Sequence, residues 1–192
     1  MRKVILSVMT TLDGFTAGPN GELEWIDVAD DELDTRIAEL LAGIDGMFFG
    51  RVAYELLAQH WPAAENSNRE IEAEQARLMN TLPKYVLSRS SLATDWGPAR
   101  RVGDDLPREV AQMKEQPGKD LALFAGATAI SAFASHDLID EYRLMVFPVL
   151  LDKGMPLPPL GCRNLRLVES KTFARSGVVL LRYLPRAEEP TA

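Results

Sequence analysis

The sequence predicts one α/β domain: a central, mostly parallel sheet flanked by helices, with an antiparallel hairpin at its C-terminal end. Short apolar runs rich in β-branched residues alternate along the chain with segments whose apolar residues recur at helical spacing. Alternation of this kind is typical of parallel sheets with helices on both faces. Two strand-like runs, 165–172 and 177–184, follow one another around Ser176-Gly177 and predict the hairpin.

The first half of the chain is predicted to hold three strands and three helices. The predicted strands are 3–9, 46–50 and 85–88. The first predicted helix has apolar positions from Leu33 to Ile44. The second follows Gly50 and is stopped by Pro62, and the third is polar and covers 68–80. Acids at Asp30, Asp31 and Glu32 suit the positive end of the first helix.

The second half is predicted to continue the alternation. Its elements are a helix capped by Asp104 or Asp105 that ends near Pro117-Gly118, a strand over 121–124, an Ala-rich helix over 127–135, a strand over 143–147 and the hairpin. We expect one domain over residues 1–186 and a flexible tail over 187–192.

Composition narrows the possible partners. The chain has 192 residues, a formal net charge of -7 and a pI of about 4.9, so its surface repels nucleic acid. Cys162 is the single cysteine, and with His60 and His136 it has no metal-ligand spacing, so no metal site is predicted. No run reaches membrane-spanning length and the apolar N-terminal run is short, which predicts a cytoplasmic protein without a membrane partner.

Ligands of such sheets bind where the parallel strands end. Four predicted loops follow strands: 10–18, 50–55, 88–91 and 125–128. Because parallel strands end at the same edge of a sheet, the sequence predicts that all four loops converge on one edge.

Three of these loops have residues suited to phosphate, each with a plainer alternative. Gly50-Arg51 starts a helix, where bare N–H groups and a cation favour an anion, although Arg51 paired with Glu55 explains the pattern equally well. The run Ser88-Arg89-Ser90 suits a phosphate monoester, and its alternative is an ordinary polar turn. Gly126 lies in a weak pyrophosphate-loop pattern that close helix packing also explains.

The first long loop contains the candidate substrate residues. Asp13 is the candidate proton donor, with Asp30 as second choice, and turn formation at Asp13-Gly14 is the alternative. Trp25 either borders a substrate pocket or packs in the core.

Four segments, in the right order, resemble the dihydrofolate-reductase-like superfamily. They are Thr11-Leu12-Asp13-Gly14-Phe15-Thr16-Ala17, Gly50-Arg51-x-x-Tyr54-Glu55, Leu87-Ser88-Arg89-Ser90, and Leu138–Leu144 followed by Pro148-Val149-Leu150-Leu151. Over residues 2–184 the chain is most similar to the C-terminal reductase domain of the bifunctional deaminase-reductase of riboflavin synthesis. It departs from that pattern at Ala125, where the family often has a second glycine, and at Asp152-Lys153-Gly154.

The resemblance implies an NADPH-dependent reductase that transfers hydride to a small, pterin- or pyrimidine-like heterocycle, and it implies a homodimer. It implies that Gly50, Arg51 and Tyr54 lie near the cofactor phosphates, that Ser88, Arg89 and Ser90 hold the adenosine end, and that Gly126, Ala127 and Thr128 lie under the pyrophosphate. We further predict that the first-strand loop, with Thr11, lines the nicotinamide side and that Trp25 borders the substrate. Two alternatives remain: a non-catalytic ligand-binding or sensor protein that retains the fold, and a dimeric interaction module. Flavin in place of nicotinamide also remains open.

Overall fold

An eight-stranded sheet lies at the centre of the protein, whose computed structural model describes residues 1–89, 95–161 and 163–186. The strands are β1 Val4–Thr11, β2 Phe15–Ala17, β3 Ile44–Gly50, β4 Lys84–Leu87, β5 Ala99–Val102, β6 Asp120–Leu123, β7 Glu141–Phe147, β8 Met155–Pro156, β9 Leu165–Thr172 and β10 Val179–Pro185. The helices are α1 Asp31–Ala42, α2 Arg51–Ala64, α3 Glu70–Thr81, α4 Leu106–Glu115 and α5 Ala127–Ser135, with a short 3-10 helix at Glu24–Ile26.

The order of strands in the large sheet is β5-β4-β3-β6-β1-β7-β10-β9. The six strands from β5 to β7 are parallel, and β10 pairs antiparallel with both β7 and β9. β2 and β8 form a separate two-stranded antiparallel sheet. The predicted fold class, including the C-terminal hairpin at one side of the sheet, is confirmed.

Helices cover both faces because the central strands are apolar on both sides. One face packs α4 and α5 against the sheet through residues such as Val110, Ile130 and Phe133. The other face packs α1 and α3 through Leu40 and Met79, among others. A third cluster joins the start of α1 to β7 and β10. No helix in the described part of the chain is long and apolar enough to cross a bilayer.

The structure corrects the prediction in four places. Ile44, predicted as an apolar position of the first helix, instead begins β3, because α1 ends at Ala42. β5 was not predicted, because Arg100 and Arg101 make its sequence polar; it is the outermost strand, where both side chains reach solvent. Pro62 does not stop α2, which continues to Ala64, because one missing N–H in the last turn is tolerated. The small sheet of β2 and β8 was also missed, since both strands are too short to show a pattern.

Candidate functional site

The four predicted loops meet at one edge of the sheet. They follow β4, β3, β6 and β1, which are consecutive neighbours in the sheet and parallel to one another. The register aligns Gly50 with Leu87 at the ends of β3 and β4, and Leu123 with Phe48 and Leu6 at the end of β6. We call this region, where the parallel strands end, the carboxyl edge.

Two helices start side by side at the carboxyl edge. Gly50 is the N-cap of α2 and Gly126 is the N-cap of α5, and neither helix has a side chain that accepts hydrogen bonds from its first turn. A Cβ on Gly50 would lie 3.4 Å from the Cβ of Ala129 in the first turn of α5, so the two helix starts are in contact distance. Their N–H groups therefore provide a common positive region that suits a diphosphate.

The other helices begin differently. α1, α3 and α4 each have acidic residues in the first turn, whereas α2 and α5 have none. Asp30 caps α1 and Asp105 caps α4 through their carboxylates. Among the described helices, the two that start without an acid are thus the two that start together at the carboxyl edge.

Arg51 is the first residue of α2, as the sequence predicts. Its Nε lies 3.6 Å from Oε1 of Glu55, one turn along the helix, and both side chains are half exposed. The plainer interpretation, an ion pair within the helix, is therefore observed. An exposed pair of this kind contributes little to stability and competes weakly with a bound phosphate.

Tyr54 has a different contact from the one the resemblance implies. Its side chain is 2% exposed, and its hydroxyl donates to the carbonyl of Trp96 at 3.3 Å and accepts from the Trp96 N–H at 3.1 Å. Burial raises the pKa of Tyr54. The hydroxyl thus holds the segment that leads into β5, while the place of Tyr54 near the cofactor phosphates stays a prediction.

Ser88 and Arg89 directly follow β4 at the carboxyl edge. The Ser88 carbonyl accepts a hydrogen bond from Nη1 of Arg101 at 3.1 Å, and Arg89 is exposed. Ser90, the third predicted member of this group, lies outside the described residues. Arg101 belongs to β5, so its presence here could not be inferred from a sequence in which that strand was missed.

The side chain of Asp13 connects two loops. Its Oδ2 accepts hydrogen bonds from the backbone N–H groups of Leu151 and Asp152, at 3.0 and 2.9 Å. Its Oδ1 accepts one from Oγ1 of Thr11 at 2.6 Å, and Thr11 in turn accepts from the N–H of Phe15 at 2.9 Å. Thr11 itself is buried at the end of β1.

These hydrogen bonds, first that of Thr11, lower the pKa of Asp13. A proton donor needs the opposite shift, toward neutral pH. The structure therefore supports the alternative interpretation of Asp13, as a residue that anchors a turn, and its role as an acid stays a prediction.

The carboxylate of Asp30, the second candidate acid, is likewise engaged in hydrogen bonds within the fold. It accepts from the N–H groups of Glu32 and Leu33 as the cap of α1, and from the N–H of Ser176 at 2.9 Å. Hydrogen bonding with the Ser176 side chain is the main cause that lowers the pKa of Asp30, and the bond from the Ser176 N–H contributes less. The bond from the Ser176 N–H is also structural. It joins the start of α1 to the turn of the C-terminal hairpin.

Trp25 packs against the end of β7. Its ring meets that of Phe147 edge to face, with 5.3 Å between centroids. The indole N–H is buried and has no hydrogen-bond partner among the described residues. The packing interpretation is thus observed, while the place of Trp25 in a substrate pocket stays a prediction.

We expect Asp13→Ala to lower the thermal midpoint of unfolding and to leave NADPH affinity nearly unchanged, because the substitution frees two backbone N–H groups of the 151–152 turn. Thermal unfolding and cofactor titration measure the two effects. Asp13→Asn is the matched control, since it retains an acceptor oxygen but cannot ionise. Loss of turnover in Asp13→Asn with an unchanged midpoint would restore Asp13 as the acid.

Comparison with known proteins decides the family. A sequence model of the RibD C-terminal domain matches residues 2–180. The chain belongs to the RibD C-terminal domain family. This family comprises the reductase domain of RibD, so the predicted resemblance is confirmed, and the family supports chemistry of the oxidoreductase kind.

Two proteins of Bacillus subtilis are similar over the whole RibD-type domain. YyaP is 36% identical over 184 residues, which cover 95% of this chain and 94% of YyaP. YwjB is 25% identical over 185 residues, which cover 95% of this chain and 98% of YwjB. Both are named as uncharacterized proteins, so they extend the family without adding an activity.

Solved structures show the same dihydrofolate-reductase-like fold. A putative riboflavin biosynthesis protein from Shewanella sp. PV-4 has a TM-score of 0.76 at 22% identity and covers 96% of this chain and 99% of its own. The diaminohydroxyphosphoribosylaminopyrimidine deaminase/5-amino-6-(5-phosphoribosylamino)uracil reductase of Thermotoga maritima has a TM-score of 0.65 at 15% identity. The alignment covers 96% of this chain and 57% of that bifunctional protein.

Proposed function

We propose that this protein is an NADPH-dependent reductase that transfers a hydride to a small, pyrimidine-like heterocycle. The observation that carries the proposal is the pair of acid-free helix starts, α2 and α5, in contact at the carboxyl edge. Membership in a family of reductase domains points to the same chemistry. NADPH, when bound, supplies the hydride, and the protein supplies binding and orientation.

The residues at the carboxyl edge suit the successive parts of this cofactor. The N–H groups that follow Gly50 and Gly126, together with Ala127, Thr128 and the cation of Arg51, would bind the diphosphate. Ser88 and Arg89, at the end of β4, would hold the 2′-phosphate of the adenosine. Thr11, at the end of β1, and Trp25, beside β7, would then border the nicotinamide and the substrate.

The transferred hydride must be balanced by a proton on the reduced substrate. Neither Asp13 nor Asp30 has the raised pKa of a general acid. We therefore propose that this proton comes from solvent, and that Asp13 positions the 151–152 turn beside the site.

A ligand-binding protein without turnover is the second candidate function. The hydrogen bonds of the two candidate acids favour it, because the carboxylates of Asp13 and Asp30 already accept hydrogen bonds from backbone N–H groups of the fold. The two functions share the cofactor site and differ only in whether hydride leaves the bound cofactor.

We also propose, on the basis of the family resemblance, that the protein is a homodimer. Light scattering of the purified protein measures its oligomeric state directly.

Titration of the protein with NADPH and with NADH tests the proposal. Binding is followed by quenching of tryptophan fluorescence and by calorimetry, and loss of NADPH absorbance with pyrimidine and pterin substrates then separates a reductase from a binding protein. Micromolar affinity for NADPH and weaker affinity for NADH are expected. Absence of binding to either nucleotide would reject both candidate functions.

Arg89→Ala is expected to weaken NADPH binding by about tenfold or more and to leave NADH binding unchanged. A charge-assisted hydrogen bond contributes about 1.5–3 kcal/mol, and only NADPH has the 2′-phosphate. Arg77→Ala, which removes an equal charge from the exposed surface of α3, is the matched control. An unchanged ratio of the two affinities in Arg89→Ala would refute the assignment.

A further inference from the structure

The guanidinium of Arg101 is held by a carboxylate at the carboxyl edge. Its Nη1 donates to Oδ1 of Asp104 at 2.8 Å and its Nη2 donates to Oδ2 at 2.5 Å, so both oxygens are bound in a fork. Nη1 also donates to the Ser88 carbonyl at 3.1 Å. Arg101 therefore contacts both an acid of the loop that follows β5 and the first residue after β4.

The position of Arg101 is set by the register of β5. Arg101 pairs with Val86 and Val102 pairs with Leu87, so Arg101 lies one residue before the strands end. The residues that directly follow β4 are Ser88 and Arg89, the proposed holders of the 2′-phosphate. A guanidinium in this place can reach the same anion.

A carboxylate and a phosphate bind to the guanidinium fork in the same way, through two parallel N–H···O contacts. Asp104 therefore occupies the part of Arg101 that a phosphate would need. A phosphate monoester near pH 7 has more charge and more acceptor oxygens than one carboxylate, which favours its replacement of Asp104.

Asp104 can leave Arg101 at little cost to the fold. The side chain of Asp104 is 78% exposed and that of Arg101 is 37% exposed, and exposed ion pairs are weak. The cap of α4 is a different residue, Asp105, whose Oδ1 accepts from the N–H of Arg108. Moving Asp104 thus does not uncap the helix.

We propose that Arg101 is a specificity-determining residue for a ribose 2′-phosphate, and that Asp104 is an internal competitor that occupies its guanidinium until that phosphate replaces it. The inference rests on the proposed function for the location of the nucleotide. It adds to that function a residue from β5 and an opposing charge that lowers affinity for the phosphorylated nucleotide. Removing the two side chains should therefore change affinity in opposite directions.

Calorimetry with two pairs of nucleotides tests this inference. The pairs are NADPH with NADH, and adenosine 2′,5′-bisphosphate with adenosine 5′-monophosphate; within each pair only the 2′-phosphate differs. The variants are Arg101→Gln, Asp104→Asn and the double variant. Arg100→Gln is the matched control, because Arg100 precedes Arg101 on β5 and its guanidinium lies over the ring of Tyr85, 4.7 Å from the ring centroid.

Arg101→Gln is expected to weaken binding of both 2′-phosphorylated nucleotides by about tenfold, with the other two unchanged. Asp104→Asn is expected to strengthen the same two by a few fold, and the double variant should behave like Arg101→Gln, since the competitor then has no cation to occupy. Arg100→Gln should match the unmodified protein.

Three results would overturn the inference: an unchanged preference in Arg101→Gln, weaker NADPH binding in Asp104→Asn, or no binding of adenosine 2′,5′-bisphosphate to the unmodified protein. If NADPH binding and turnover are the same in Arg101→Gln as in the unmodified protein, the inference fails and the proposed function is unaffected. Binding of the bisphosphate through Arg101 without NADPH turnover would support the inference and reject the reductase.

Discussion

Gly126→Asp is expected to weaken NADPH binding by about tenfold to a hundredfold without destabilising the protein. An aspartate at the N-cap accepts hydrogen bonds from the first turn of α5 and places a negative charge where the diphosphate is proposed to lie. Loss of charge-assisted hydrogen bonds of about 1.5–3 kcal/mol corresponds to that change in affinity. Because aspartate is also a favourable N-cap, thermal stability should stay equal or increase.

Other residues can replace Gly126 without backbone strain, so matched control variants are available. Its φ of -78° and ψ of 176° are open to any residue, and a Cβ there would meet no atom within 4 Å. Gly126→Ala adds bulk without a cap, and Gly126→Asn adds a cap without a charge. NADPH affinity should fall in the order Ala, Asn, Asp; equal affinity of the Ala and Asp variants would exclude α5 from the diphosphate site.

The second large effect concerns Lys84, which is fully buried at the start of β4. Its ammonium donates to the carbonyls of Asn80 and Leu82, near the end of α3, and lies 4.5 Å from the centroid of the Trp96 ring. Burial lowers the pKa of Lys84 from 10.5 to about 8. The folded protein therefore releases this proton more readily than the unfolded chain does.

We expect Lys84 to make stability rise with pH between about 8 and 10.5. In this window the unfolded chain still holds the proton that the folded protein has lost, so the free energy of unfolding increases with pH. The stabilisation is complete above 10.5 and is lost as the pH falls through 8. A pKa difference of this size corresponds to roughly 3 kcal/mol.

Urea unfolding of the unmodified protein and of Lys84→Met at pH 7.5, 9 and 10.5 measures the effect. Met has a similar length and no charge, so it removes the titration and keeps most of the packing. The stability of the unmodified protein relative to the variant should increase across this series. Parallel pH curves for the two proteins would show that Lys84 titrates alike in the folded and unfolded states.

The elements that could be predicted best are those whose signals are local. α5 and β9 have the predicted bounds, 127–135 and 165–172, because a glycine, an alanine-rich run and a hairpin turn mark them within a few residues. β5 had no such signal: it becomes a strand by pairing with β4, and its polar residues suit its outer position. Missing β5 also removed Arg101 from every sequence-based account of the site.

The convergence of four loops could be predicted because it follows from topology alone. Parallel strands end at the same edge, so a correct alternation of strands and helices brings the loops together whatever their side chains are. The roles of single residues could not be predicted in this way. Tyr54 meets Trp96, 42 residues away, and Asp13 meets Leu151, 138 residues away.

For this protein the sequence by itself determined the α/β class, most elements, the family resemblance and the edge at which ligand-binding loops lie. These features depend on periodicity, turn residues and chain order, which are local properties of the sequence. Only the tertiary structure decided which polar groups already have hydrogen-bond partners within the fold. The two candidate acids bind backbone N–H groups of turns, the Tyr54 hydroxyl binds the backbone of Trp96, and Arg101 binds Asp104. Hydrogen bonds and ion pairs act over about 3 Å, so they depend on contacts between distant parts of the chain that folding alone creates.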